Sequence, residues 1–217
     1  MSSYTYSQII QAILDACANI RHVFSANSDG RHTSAFEERP YLNQLEKWLK
    51  ENHPPLKFEH QPKVRHWWDF MVNGIPIDLK LTTGCTDDAC SKVAIIYTIC
   101  ASEPKNKNMN FNKFWEAIKA CQKKPARDPM TEFHYLAVNK DNGEFLLKSI
   151  LDIHTYKTNP SNDLQISWKN EFAETAYRTT DYKAKVRELL KAVQTSVKQS
   201  IQGKKEFADA DIDADFA

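Results

Sequence analysis

Glycine is scarce in this chain, with five in 217 residues, and the five are scattered. That excludes a glycine-rich phosphate loop and the nucleotide chemistry that depends on one. No apolar run approaches ~18 residues, so no transmembrane helix is expected. The first residues, "MSSYTYSQIIQAILDAC", lack a basic leader and read as an amphipathic helix, not a signal peptide. Cysteine is sparse and odd in number, at 17, 85, 90, 100 and 121. Cys85 and Cys90 are separated by four residues, but no second close pair completes a zinc knuckle. The expectation is reduced thiols, no membrane and a cytoplasmic protein. Charge of one sign is also lacking: 29 basic residues face 28 acidic ones, a net of +1. The distribution is uneven. Residues 206–217, "EFADADIDADFA", carry five acids and no base, which leaves 29 basic against 23 acidic residues in the body. The chain therefore divides into one domain over 1–205 and an acidic tail over 206–217, which reads as a disordered, solubilising end.

What is present is a hairpin with an unusual pair of charges. Asn73-Gly74 lies between two apolar-rich runs in "WWDFMVNGIPIDLKLT", and both residues tolerate the positive φ of a type I′ turn. Counting outward pairs Val72 with Ile75, Met71 with Pro76, Phe70 with Ile77 and Asp69 with Asp78. Strand side chains alternate between faces. One face carries Trp68, Phe70, Val72, Ile75, Ile77, Leu79 and Leu81, a core. The other carries Asp69, Met71, Pro76, Asp78 and Lys80. Two carboxylates opposed across a strand pair repel unless a proton or a cation sits between them. Lys80 supplies one positive charge, and Mg²⁺ suits the rest, because it takes oxygen ligands and often only one or two carboxylates. The plainer alternative is a solvated Asp–Lys pair with no role.

A third carboxylate comes from "TSAFEERPYLNQLEKWLKEN". Ser34 with Glu37 reads as a capping box, and Pro40 belongs near the start of that helix. Tyr41, Leu42, Leu45, Trp48 and Leu49 recur at helical spacing. Glu38 shares the stripe of 42, 45 and 49, and a glutamate on a buried stripe needs a partner. Glu38 is therefore preferred to Glu37 as a site residue, with first-turn charge as the alternative for both.

A helix bearing a glutamate, followed by a hairpin bearing Asp and Asp-x-Lys, resembles the P-D…(D/E)-x-K nuclease superfamily, and in particular its type II restriction endonucleases. Asp69 matches the first aspartate, Asp78 the second acid and Lys80 the lysine. Thr82 and Thr83 follow as in one branch of those enzymes, whereas Trp68 stands where the family has proline. The resemblance spans residues 34–83. It implies a restriction-endonuclease-like core and Mg²⁺-dependent hydrolysis of double-stranded DNA to 5′-phosphates. In its terms Glu38, Asp69, Asp78 and Lys80 are catalytic. Asp69, Asp78 and the Leu79 carbonyl hold the metal, and Arg65, Thr82 and Thr83 contact DNA. It also implies a homodimer and a cognate DNA methyltransferase. A structure-selective resolvase or repair nuclease is the alternative within enzymes, and a non-catalytic nucleic-acid-binding protein is the alternative outside them.

The remaining pattern fits an α/β (α+β) fold: a mixed central sheet flanked by helices. Residues 4–24 read as a helix with Ile9, Ile10, Ile13, Leu14 and Ile20 inward, and residues 56–60 as a strand. "TTGCTDDACS" reads as a turn, "KVAIIYTICA" as a buried strand and "NFNKFWEAIKACQKK" as a helix. A second hairpin turns at Asp141-Asn142-Gly143. "LQISWKN" is a short strand, and the stripe Val186, Leu189, Leu190, Val193, Val197 and Ile201 marks a closing helix.

Overall fold

The computed structural model describes residues 4–24, 30–62, 66–83, 86–105, 107, 109–157, 164–173 and 181–208. Two helices come first, α1 (Tyr6–Asn19) and α2 (Gly30–Asn52). Strands β1 (Phe58–His60), β2 (Phe70–Val72), β3 (Ile75–Thr82) and β4 (Asp87–Ala89) follow. Next come helices α3 (Lys92–Cys100) and α4 (Phe111–Ala120), then β5 (His134–Asn139) and β6 (Phe145–Ser149). Short strands β7 (Tyr156–Lys157) and β8 (Gln165–Ser167) lead to α5 (Trp168–Ala173) and α6 (Tyr182–Ala208). The main sheet is mixed, in the order β1-β2-β3-β5-β6, and β4-β8-β7 form a second, three-stranded sheet.

The hairpin forms where Asn73-Gly74 predicts it. Both turn residues have positive φ, 48° and 83°, and the pairs Phe70↔Ile77, Met71↔Pro76 and Val72↔Ile75 follow. Asn73 also ties the turn to the incoming strand, since its Oδ1 accepts from the Lys57 N–H at 2.8 Å. β3 is central, antiparallel to β2 and parallel to β5. Phe70, Val72, Ile75, Ile77, Leu79 and Leu81 form one apolar layer with the inner faces of α1 and α2. Ile77 and Leu79 are fully buried, each contributing roughly 1.5–3 kcal/mol of transfer free energy. The opposite layer holds Phe133, Tyr135, Ala137, Ile166 and Trp168 with α3, α4 and α6.

Four local expectations change. Residues 92–100 are a helix, not a strand. A continuous apolar run cannot separate the two, and Ser91 decides it by capping the helix, its side chain accepting from the Ala94 N–H. "TTGCTDDACS" contains β4, which pairs with β8. Helix α2 begins at Gly30, so Ser34 lies inside it and Pro40 in its interior. Trp68 leaves the hairpin face for the α3 layer, because β2 starts only at Phe70. The cysteines also differ from the expected thiols: Cys100 and Cys121 form a disulfide joining the ends of α3 and α4, while Cys17 and Cys90 are buried free thiols.

Candidate active site

The site forms where β2 stops and β3 continues. The ladder ends at Phe70↔Ile77, and the chain preceding it turns so that the Asp69 N–H donates to the Ile77 carbonyl at 3.0 Å. Beyond that pair, among the described residues, β3 keeps β5 on one side only. The Leu79 N–H on the open side is taken by Asp69 Oδ2 at 2.8 Å. N–H and C=O of one strand residue point the same way, so the Leu79 carbonyl faces the same opening. Asp69 is further fixed by Gln61, whose Nε2 donates to Oδ1 at 3.3 Å and whose N–H donates to the Asp69 carbonyl at 2.8 Å.

Asp69 and Asp78 are brought together as the spacing requires. Their carboxyl groups act on each other. Burial, then the Asp78 charge, then hydrogen bonding with Asp78 hold the Asp69 carboxyl well above the usual carboxylate range. Lys80 Nζ sits 2.7 Å from Asp78 Oδ2, and both side chains are about one-fifth exposed. Burial pulls the Lys80 ammonium down, but Asp78, Asp69 and Asp88 outweigh it and raise it. Lys80 is thus a firmly held cation.

Glu38 belongs to the same electrostatic cluster. Burial raises its carboxyl, with Lys80 pulling down and Asp78 and Asp88 pushing up. Glu37 looks elsewhere: it is 7% exposed, and its Oε2 lies 3.9 Å from Lys140 Nζ. Thr82 is buried, its hydroxyl bonded to the Thr83 carbonyl at 2.7 Å and to Thr86 Oγ1. Arg65 lies outside the described residues, as does the segment 209–217.

Asp88 is the residue that sequence reasoning missed. It stands on β4, opposite Ile166 of β8, and its Oδ2 accepts from the Trp168 indole N–H at 2.7 Å. Its charge acts on both Lys80 and Glu38. Only the acidic doublet Asp87-Asp88 just after the Asp-x-Lys strand hinted at it.

Two oxygen donors, a surplus of negative charge and partial solvent access suit a hard divalent ion at Asp69 and Asp78. Among the described residues no group of three or more metal-ligating side chains converges. An ion held here would complete its shell with water and phosphate oxygens, the habit of Mg²⁺. Comparison of the chain with family models, with curated proteins and with solved structures returned no match. No helix among the described residues is long and apolar enough to cross a membrane.

Proposed function

We propose that this chain is a Mg²⁺-dependent, sequence-specific double-stranded DNA endonuclease of the type II restriction kind, acting as a homodimer beside a cognate DNA methyltransferase. The observation that carries the reading is the Asp69–Asp78 carboxyl pair beside the Lys80 ammonium, at the open edge of the central strand of a mixed sheet. Such a pair destabilises the fold unless something positive is to be held there.

Asp69 and Asp78 would hold the ion, with the Leu79 carbonyl on the same side. The chemistry the ion supplies when bound is charge on the scissile phosphate and a more acidic water. Lys80 contributes a fixed positive charge to the phosphate oxygens as negative charge builds on them. Glu38, with its raised carboxyl, positions the attacking water and accepts its proton. The water oxygen bonds to phosphorus, the bond to the 3′ oxygen breaks and that oxygen takes a proton, which leaves a 5′-phosphate.

The test compares the wild type with Asp78→Asn in a Mg²⁺ titration on linear duplex DNA, with end analysis of the products. Cleavage to 5′-phosphates by the wild type, lost by a factor of at least ~10³ in Asp78→Asn, is the expected result. Full activity in Asp78→Asn rejects the assignment. Cutting confined to branched substrates converts it to a structure-selective nuclease.

A further inference from the structure

A groove of about 450 Å³ runs between α4 and α6, away from the carboxylate cluster. Its floor is apolar and aromatic, made by Phe111, Phe114 and Trp115 of α4 with Leu190 and Val197 of α6. Arg187, Lys191 and Lys198 edge it, and no acidic side chain lines it among the described residues. Trp115 is 52% exposed, a large aromatic surface left in water where interfaces place their anchors. The groove therefore suits a ligand that is apolar along one side and acidic along the other.

The sequence contains such a segment. Residues 209–217 read "DADIDADFA". Acids occupy 209, 211, 213 and 215, and Ala210, Ile212, Ala214 and Phe216 alternate with them. Extended backbone puts successive side chains on opposite faces, so this segment would offer Ile212 and Phe216 on one edge and four carboxylates on the other. The match is of charge sign, of polarity and of period.

Reach decides whose segment it is. A helix rises about 1.5 Å per residue, so Lys198 lies about 15 Å, and Arg187 about 31 Å, back from the end of α6 at Ala208. Nine extended residues span at most ~30 Å, and part of that is used in reversing direction. Residues 209–217 of the same chain reach only the Lys198 end of their groove. Those of a second copy reach the Arg187 end. Ile201 of α6 is 59% exposed. If two α6 helices cross antiparallel at Ile201, the second copy's Ala208 stands level with Gln194, inside the groove. Its next residues then run past Lys191 to Arg187.

We infer that the α4–α6 groove receives residues 209–217 of a second copy of this chain, so that a twofold dimer exchanges its acidic tails. Each tail sets its first aspartates against Lys191 and Arg187 and turns its apolar edge, Ile212 and Phe216, to the aromatic floor. The contact is isologous, and it closes at two subunits. It holds whether or not the carboxylate cluster cleaves DNA.

The experiment uses the full-length chain in sedimentation equilibrium at several concentrations and salt levels. The wild type is expected to dimerise, more weakly at high salt. Ile212→Asp with Phe216→Asp, and separately Arg187→Glu with Lys191→Glu, are each expected to weaken dimerisation at least tenfold. Combining Arg187→Glu and Lys191→Glu with Asp209→Lys and Asp211→Lys is expected to restore it, which excludes misfolding as the cause. A synthetic peptide of residues 209–217 should shift the emission of Trp115, read against a Trp115→Phe control, and compete with dimerisation. A monomer at every concentration, or a dimer indifferent to both sets of substitutions, overturns the inference. So does a monomer whose Trp115 is already shielded by its own tail.

Discussion

Asp69 Oδ2 takes the Leu79 N–H at 2.8 Å, while burial and the adjacent Asp78 charge hold its carboxyl well above the usual carboxylate range. Asp69 therefore does two things: it closes the open edge of β3, and it crowds a like charge. Asp69→Asn keeps an acceptor for Leu79 and removes the crowding. In EDTA this variant should melt at or a few degrees above the wild type, the usual sign of a strained functional site. Added Mg²⁺ or Mn²⁺ should raise the melting temperature of the wild type and not that of the variant. A metal-induced shift of equal size in both would remove Asp69 from the ion site. Thermal melts with and without the ion measure it.

Glu37 and Glu38 should separate cleanly. Glu38→Gln is expected to leave stability within about 0.5 kcal/mol and to lower kcat by roughly 10²–10⁴, the range for a lost acid–base group. Glu37→Gln is expected to spare kcat and to lower stability by about 1–3 kcal/mol, because it weakens a nearly buried pairing with Lys140. Denaturant unfolding and single-turnover kinetics on both variants measure the two effects. The opposite pattern would move the site residue to Glu37.

Asp88 acts by charge as well as by hydrogen bonding. Asp88→Asn retains an acceptor for the Trp168 indole and should lower kcat/KM by about tenfold, one tenfold step being ~1.4 kcal/mol, with stability unchanged. Asp88→Ala should in addition cost about 1–3 kcal/mol, since the Trp168 N–H is left without its acceptor. If Asp88→Asn matches the wild type in kcat/KM, Asp88 is a structural acceptor only.

His134 makes stability depend on pH. Its ring is 1% exposed, with Nε2 2.9 Å from the Tyr6 hydroxyl and Nδ1 3.0 Å from the Glu132 carbonyl oxygen. Burial pulls the imidazole down to about 4, against opposing pulls from Glu132 and Asp152. The native state stays unprotonated where the unfolded chain, near 6.5, takes a proton. The unfolded state binds more protons in that window, so stability rises with pH. The contribution is complete above about pH 6.5 and is lost as pH falls from there toward 4, by roughly 3 kcal/mol. Urea unfolding at pH 7.5, 6, 5 and 4.5 should show this slope, and His134→Gln should flatten it. An unchanged slope in His134→Gln would assign it to other groups.

The hairpin was legible because Asn73-Gly74 and the alternation around it are local signals, and they place Asp78 and Lys80 on one face without any knowledge of the fold. The α2 stripe pointed to Glu38 as the glutamate on the buried side, but Glu37 is the more buried of the two, at 7% exposed, and it is electrostatics that ties Glu38 to the cluster. Other features depend on distant partners. Asp88 reaches the cluster only because β4 pairs with β8, 76 to 80 residues later, and because Trp168 fixes it. The all-apolar run of α3 carries no period, so only its Ser91 cap distinguished it from a strand. The exact pairing of Asp69 was masked by the end of β2, which local alternation extends by a residue too far. The Cys100–Cys121 link joins two helix ends whose proximity no spacing rule supplies.

The most direct test of the central claim is digestion of unmethylated phage DNA by the purified full-length protein, run in parallel with Mg²⁺ and with EDTA. Discrete fragments with 5′-phosphate ends, present only with Mg²⁺ and absent for Asp78→Asn, are the predicted result. Intact DNA at every Mg²⁺ concentration from a folded protein contradicts it.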